Sequence, residues 1–83
     1  MTLKVFTDFN AQTRDGVCWN LVYGQSDLAD QVVGLGLTTG AKIILYQEED
    51  DFEVMAKLDF RYVDMLGREA WVALPDWSSL VRK

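Results

Sequence analysis

The chain has 83 residues, 49% of them hydrophobic and 25% charged, which predicts one small globular domain with a modest core. Its 13 acidic and 8 basic residues give a net charge of −5, and no basic cluster is present to bind nucleic acid or an anionic membrane. No apolar run reaches the roughly 18 residues of a membrane-spanning helix, and Asp8 interrupts the place where a secretory signal would need its apolar stretch.

The first half of the chain predicts two strands and one ambiguous segment. "LKVF" (3–6) is expected to be a short strand, and "VCWNLVY" (17–23) alternates with a period of two, which is typical of a strand with one strongly apolar face. Residues 26–33 carry apolar side chains at helical spacing behind the capping residues Ser26 and Asp27. A helix of two turns is marginal without packing, so this segment is either a short helix or an irregular loop.

The second half predicts three further strands. "AKIILYQ" (41–47) is apolar on both faces and is expected to be central in a sheet, and the acidic turn "EEDD" (48–51) follows it. Residues 52–63 alternate so regularly that their register is well specified, and "REAWVAL" (68–74) is the partner strand after the turn "DMLG". Pro75 is expected to end that strand because it has no N–H for a ladder, and 76–80 would form a single helical turn capped by Asp76.

The order of these elements resembles a known architecture. "LTTGAKIILYQEEDDFEVMAKLDF" followed by "GREAWVALPDW" is similar to the body of an SH3-like small barrel. The resemblance implies a diverging turn at Gly40, a long bent strand over 52–62 and a closing turn over 75–80. The expected fold is therefore mainly β: an SH3-like small barrel or a strongly bent five-stranded antiparallel sheet, with at most one short helix. The alternative is an α+β fold in which 26–33 pack on the sheet as a helix.

The residue types exclude most catalytic chemistry. The chain has no histidine and one cysteine, which removes the common proton shuttles, the nucleophile–histidine arrangements and thiolate metal clusters. The segment "GLGLTTG" lacks the spacing of a phosphate-binding loop. We therefore expect a protein that is not an enzyme and needs no cofactor or metal. The single cysteine, Cys18, is expected to be a structural thiol, and it indicates a reducing compartment, the cytoplasm.

Aromatic residues give the candidate site. Trp19, Tyr23, Phe52, Phe60 and Tyr62 fall on the apolar faces of their strands and are expected in the core. Three other aromatic residues do not, and together with the acidic turn they predict a groove for a protein or for a basic or proline-rich peptide. The residues of this predicted groove are Tyr46, Trp71, Trp77, Glu48, Glu49, Asp50 and Asp51.

Three competing interpretations stay open at this point. Trp77 could close the end of the barrel while Trp71 packs on the N-terminal strand, in which case no groove exists. The chain could associate with itself through apolar faces that include Ile44 and Val63. Finally, carboxylates such as Asp50 and Asp51 could form a small-ligand or enzyme site, although a solvated turn does not separate their pKa values.

Overall fold

Six strands form one mixed sheet in the computed structural model, which describes residues 3–47 and 52–82. The order across the sheet is β3-β2-β1-β4-β5-β6, and only the β1–β4 pair is parallel. The strands are β1 Lys4–Thr7, β2 Leu21–Tyr23, β3 Ser26–Asp27, β4 Lys42–Tyr46, β5 Phe52–Val63 and β6 Arg68–Arg82. The mainly-β fold predicted from the sequence is confirmed, with a sixth strand and a parallel pair that the sequence did not indicate.

One short helical segment follows β3. It begins as a 3₁₀ turn over Leu28–Gln31 and continues as helix α1 over Val32–Leu35. The helical interpretation of this region is therefore correct, although the segment begins and ends two residues later than the predicted range 26–33. Leu28 and Val32 are its buried residues. Gly36 ends the helix in the left-handed conformation (φ 69°), which a glycine adopts without a Cβ clash.

The sheet bends so far that its two ends approach each other, although it does not close. The Cys18 amide donates to the Ala73 carbonyl of β6 (2.9 Å), and the Ala73 amide donates back to Cys18 (2.8 Å). Three residues after Cys18 the chain enters β2, which lies on the far side of β1 and β4 from β6. This bridge, and a second one between Gln12 and Cys18, replace the first part of the strand predicted over 17–23.

Two apolar clusters pack on opposite faces of the sheet. The larger cluster, on the inner face, is centred on β1, β4 and β5 and includes the fully buried Val5, Ile43 and Leu45. The smaller cluster, on the outer face, contains Val17, Val63, Ala70 and Val72. Neighbouring β6 residues Val72 and Ala73 belong to different clusters because successive side chains of a strand point to opposite faces.

β5 and β6 form a long hairpin whose β6 strand continues through Pro75. The prediction that Pro75 ends the strand is wrong, and the reason lies in which way its nitrogen points. Ala73 directs its N–H and C=O away from β5 and toward Cys18, so Pro75, two residues later, also directs its nitrogen away from β5. The missing N–H therefore costs no ladder bond.

The helical turn predicted over 76–80 is also wrong, because β6 contains an irregularity at this place. Asp76 pairs with Met55, but Val81 already pairs with Glu53, so four β6 residues stand opposite one β5 residue. The Asp76 carboxylate accepts hydrogen bonds from the Ser78 amide (3.1 Å) and hydroxyl (2.6 Å). The Ser79 hydroxyl accepts from the Met55 amide (2.9 Å) and so replaces the interrupted ladder. Asp76 thus caps a local turn, as expected, but inside a strand.

Candidate functional site

The aromatic side chains of the hairpin lie in two separate places. At the end of β6 that follows Pro75, the Trp77 ring packs against Phe9 and Phe52, with ring centroids 5.5 and 6.4 Å away. Phe9 is in turn 5.3 Å from Phe52, and its amide donates to the Gln47 side chain (2.7 Å). This arrangement agrees with the interpretation in which Trp77 packs against the end of the sheet, although 45% of its surface remains exposed.

The second place is near the hairpin turn and consists of Phe60, Tyr62 and Trp71, which we call the hairpin aromatic face. Phe60 and Trp71 are paired across the two strands, with ring centroids 5.3 Å apart. Tyr62 follows on the same face, two residues along β5. Phe60 is 44% exposed and Tyr62 60% exposed, whereas Trp71 is half-buried against the inner cluster.

The expectation that Phe60 and Tyr62 are core residues is therefore wrong. They share a face of β5 with the buried residues Val54, Ala56 and Leu58, so the alternation itself was read correctly. The inner cluster, however, covers this face only as far as Leu58. A strand pattern shows which side chains share a face, but not how far the covering chain reaches along it.

The predicted groove of Tyr46, Trp71 and Trp77 is not assembled in one place. Trp71 pairs with Phe60, while Asp76, next to Trp77, pairs with Met55. Five residues of an extended strand separate the two positions by roughly 17 Å. Tyr46 lies on β4, half-buried, with its ring 5.9 Å from Phe6. Glu48, Glu49, Asp50 and Asp51 lie outside the described residues.

An acidic side chain, Glu69, stands beside the hairpin aromatic face. It is exposed and pairs with Tyr62, so both side chains project from the same face. Asp59 and Arg61 project from the opposite face, where Arg61 donates two hydrogen bonds to one oxygen of Asp59 (2.6 and 2.8 Å). These bonds from Arg61 lower the pKa of Asp59 from its ordinary value of 3.8.

A cleft of about 180 Å³ lies beside this face, at the open edge of β6. The start of β6 forms one wall, with Phe60 at its side, and the residues around Trp19 and Asp27 form the other. The indole Nε1 of Trp19 is buried and has no hydrogen-bond partner among residues 3–47 and 52–82. A buried donor without a partner is costly.

A larger cleft of about 860 Å³ borders Tyr62 from the other side. It lies between the turn over 12–17 and the hairpin turn, and the charged residues along it are of both signs: Arg14, Asp15, Arg61 and Asp64. Arg61 is already engaged with Asp59. The two bases and two acids of this cleft balance each other, so its charge indicates no particular ligand.

Cys18 is placed as a structural thiol. Its side chain is fully buried in the inner cluster, and this burial raises the pKa of the thiol from 9.0 to about 11. A buried and protonated thiol is a poor nucleophile. Within the described part of the chain, no group of three or more metal-ligating side chains comes together.

The comparisons with known proteins do not assign the chain to a class. Neither protein-family models, nor curated protein sequences, nor solved structures match it. Among the described residues, no helix has the length and apolar character needed to cross a membrane.

Proposed function

We propose that the chain is a non-enzymatic module that binds a protein or peptide through the hairpin aromatic face. The observation that carries this proposal is the exposure of two large aromatic side chains, Phe60 and Tyr62, next to the half-buried Trp71. Aromatic residues bury much area at a low cost in conformational entropy, and they dominate the energy of many interfaces. The sequence predicts an aromatic binding surface that includes Tyr46, Trp71 and Trp77, and of these the proposal keeps only Trp71.

The charge around the face supports a basic partner. Glu69 stands beside Tyr62, the adjacent cleft is lined by Asp27 and Glu69 against one base, Arg68, and the whole chain carries −5. Such a field favours the approach of a positively charged segment and disfavours nucleic acid. The buried single cysteine agrees with action in a reducing compartment, and the proposal therefore keeps the cytoplasm as the place of action.

The rival interpretations receive less support from the described residues. Val63, expected on a self-associating surface, is 2% exposed in the outer cluster, which leaves it unable to contact a second chain. Ile44 is half-buried. The carboxylates of the alternative ligand site, Asp50 and Asp51, lie outside the described residues.

The proposal is tested by selecting binders from a displayed library of random eight-residue peptides and measuring their affinity for single variants. Tyr62→Ser should weaken binding of the selected peptides by about tenfold or more, as expected for an interface aromatic residue. Val81→Ser is the matched control, because Val81 is similarly exposed (63% against 60%) but lies at the far end of β6. Equal affinity of Tyr62→Ser and wild type, with both folded by circular dichroism, would contradict the proposal.

A further inference from the structure

We propose that the partner binds as an extended strand that pairs with the outer edge of β6 at Glu69 and Trp71. This inference rests on the proposed function and specifies the partner: a peptide segment with an apolar or aromatic residue and a basic residue two positions apart. The occupant is identified by three properties of the cleft over residues 3–47 and 52–82: backbone groups at a strand edge that no strand pairs, a buried indole donor without a partner, and a rim on which Asp27 and Glu69 outnumber Arg68.

The direction of the backbone groups follows from the bonds on both sides of the hairpin. Leu58 uses its N–H and C=O to bond Ala41 and Gly40 on the β4 side (2.9 and 2.7 Å), and its partner Ala73 bonds Cys18 on the opposite side. Leu58 and Ala73 are therefore a pair without mutual hydrogen bonds. Because the pattern alternates, Trp71 and Glu69 also direct their N–H and C=O away from β5.

The edge toward which these groups point has no neighbouring strand there. β6 is the last strand of the sheet, and within residues 3–47 and 52–82 its outer edge is paired only at Ala73, through Cys18. Pro75 has no N–H to offer on the other side of this bridge. The donors available to an added strand before the irregular segment are thus those of Glu69 and Trp71.

The cleft beside this edge is suited to a peptide backbone. Its second wall contains Trp19, whose buried Nε1 has no acceptor among the described residues. Because Nε1 is buried, a carbonyl of an inserted strand reaches it only when the indole turns toward the cleft, and the bond would then satisfy a donor that lacks a partner among the described residues. The volume of about 180 Å³ limits the buried part to about one or two residues, with the remainder of the segment lying on the open face.

The side-chain pattern of the partner follows from the period of two. A residue opposite Trp71 projects on the face where Trp71 and Phe60 are stacked, and an apolar or aromatic side chain would pack there. The partner residue two positions further along lies opposite Glu69. It meets the Glu69 carboxylate, and Asp27 lines the same cleft. A lysine or arginine is complementary at that position.

The test uses the displayed peptides on the intact chain and compares two substitutions at one position. Glu69→Ala removes the carboxylate and keeps the N–H, whereas Glu69→Pro removes both, and the strand already accommodates Pro75 in the same orientation. The selected peptides should share the two-apart pattern, and Glu69→Pro should bind them about three- to tenfold more weakly than Glu69→Ala, the effect of one lost backbone hydrogen bond. Circular dichroism and urea unfolding establish that both variants are folded.

Three other outcomes would refute the edge pairing, the proposed function or the peptide as the occupant. Equal affinities of the two Glu69 variants, with a loss in Tyr62→Ser, would refute edge pairing and leave the proposed function standing. Affinity that is unchanged in Tyr62→Ser, or a library that yields no binder, would refute both. A dimer of the free wild-type chain by light scattering that Glu69→Pro converts to monomer would show that a second copy occupies the edge, and would refute the peptide.

Discussion

Replacing Leu74 by proline should destabilise the hairpin, although the next residue in the chain is already a proline. Leu74 pairs with Lys57, and the alternation that directs Ala73 and Pro75 outward directs the Leu74 amide toward β5. Leu74→Pro removes this donor and leaves the Lys57 carbonyl without its partner. The cost should be about 1–3 kcal/mol more than that of Leu74→Ala, which removes the same half-buried side chain and keeps the N–H.

Urea unfolding followed by circular dichroism measures this difference. With a slope of about 1–2 kcal/mol/M for a chain of this size, the midpoint of Leu74→Pro should lie about 1–2 M below that of Leu74→Ala. The matched comparison is Glu69→Pro against Glu69→Ala, where the lost N–H points outward and the difference should stay below about 1 kcal/mol. Equal penalties for proline at the two positions would refute the assigned backbone directions and, with them, the edge that the inferred strand requires.

Three further predictions concern the core and the titrating groups. Leu58→Ala should lower the free energy of unfolding by about 2–5 kcal/mol in the same assay, because Leu58 is 1% exposed in the inner cluster; a cost below about 1 kcal/mol would contradict that placement. Cys18 has a pKa raised from 9.0 to about 11, so the stability that the buried, protonated thiol contributes should be present below pH 9 and lost as the pH rises from about 9 to 11. Cys18→Ala should reduce this loss of stability. Rapid reaction of the native thiol with a disulfide reagent at pH 8 would show that the thiol is not buried. Arg61→Met should return the pKa of Asp59 toward its ordinary value of 3.8 in an NMR titration. The lowered pKa stabilises the fold only at a pH where Asp59 is ionised, so the wild type should lose this small contribution on acidification. An unchanged pKa in the variant would show that Arg61 does not cause the shift.

The sequence predicted the strands well because apolar alternation is a local property. The strand over 52–63 has the bounds of β5, and residues 68–74 are the first half of β6. The sequence does not predict that the strand continues through Pro75, because the effect of a proline depends on whether its nitrogen faces a neighbouring strand. That orientation is set by the Cys18–Ala73 bridge, which joins residues 55 positions apart and leaves no local signal.

The candidate site was only partly predictable for a related reason. The sequence predicts an aromatic and acidic groove of Tyr46, Trp71, Trp77 and the turn over 48–51, and of these aromatic residues only Trp71 belongs to the hairpin aromatic face. It assigned Phe60 and Tyr62 to the core because their positions continue the buried face of Val54 and Leu58. Whether such a position is buried depends on how far the elements of the first half of the chain extend over the hairpin, which is a matter of tertiary packing.

The most direct test of the binding proposal uses the three tryptophan indole signals in a ¹H–¹⁵N NMR spectrum. Trp19 lines the cleft, Trp71 belongs to the hairpin aromatic face, and Trp77 packs with Phe9 at the other end of β6. Single tryptophan-to-phenylalanine variants assign the signals, and a selected eight-residue peptide is then added. We expect the Trp71 and Trp19 signals to shift while the Trp77 signal does not. A shift of Trp77 alone would contradict the binding proposal and place the binding surface at the opposite end of the hairpin.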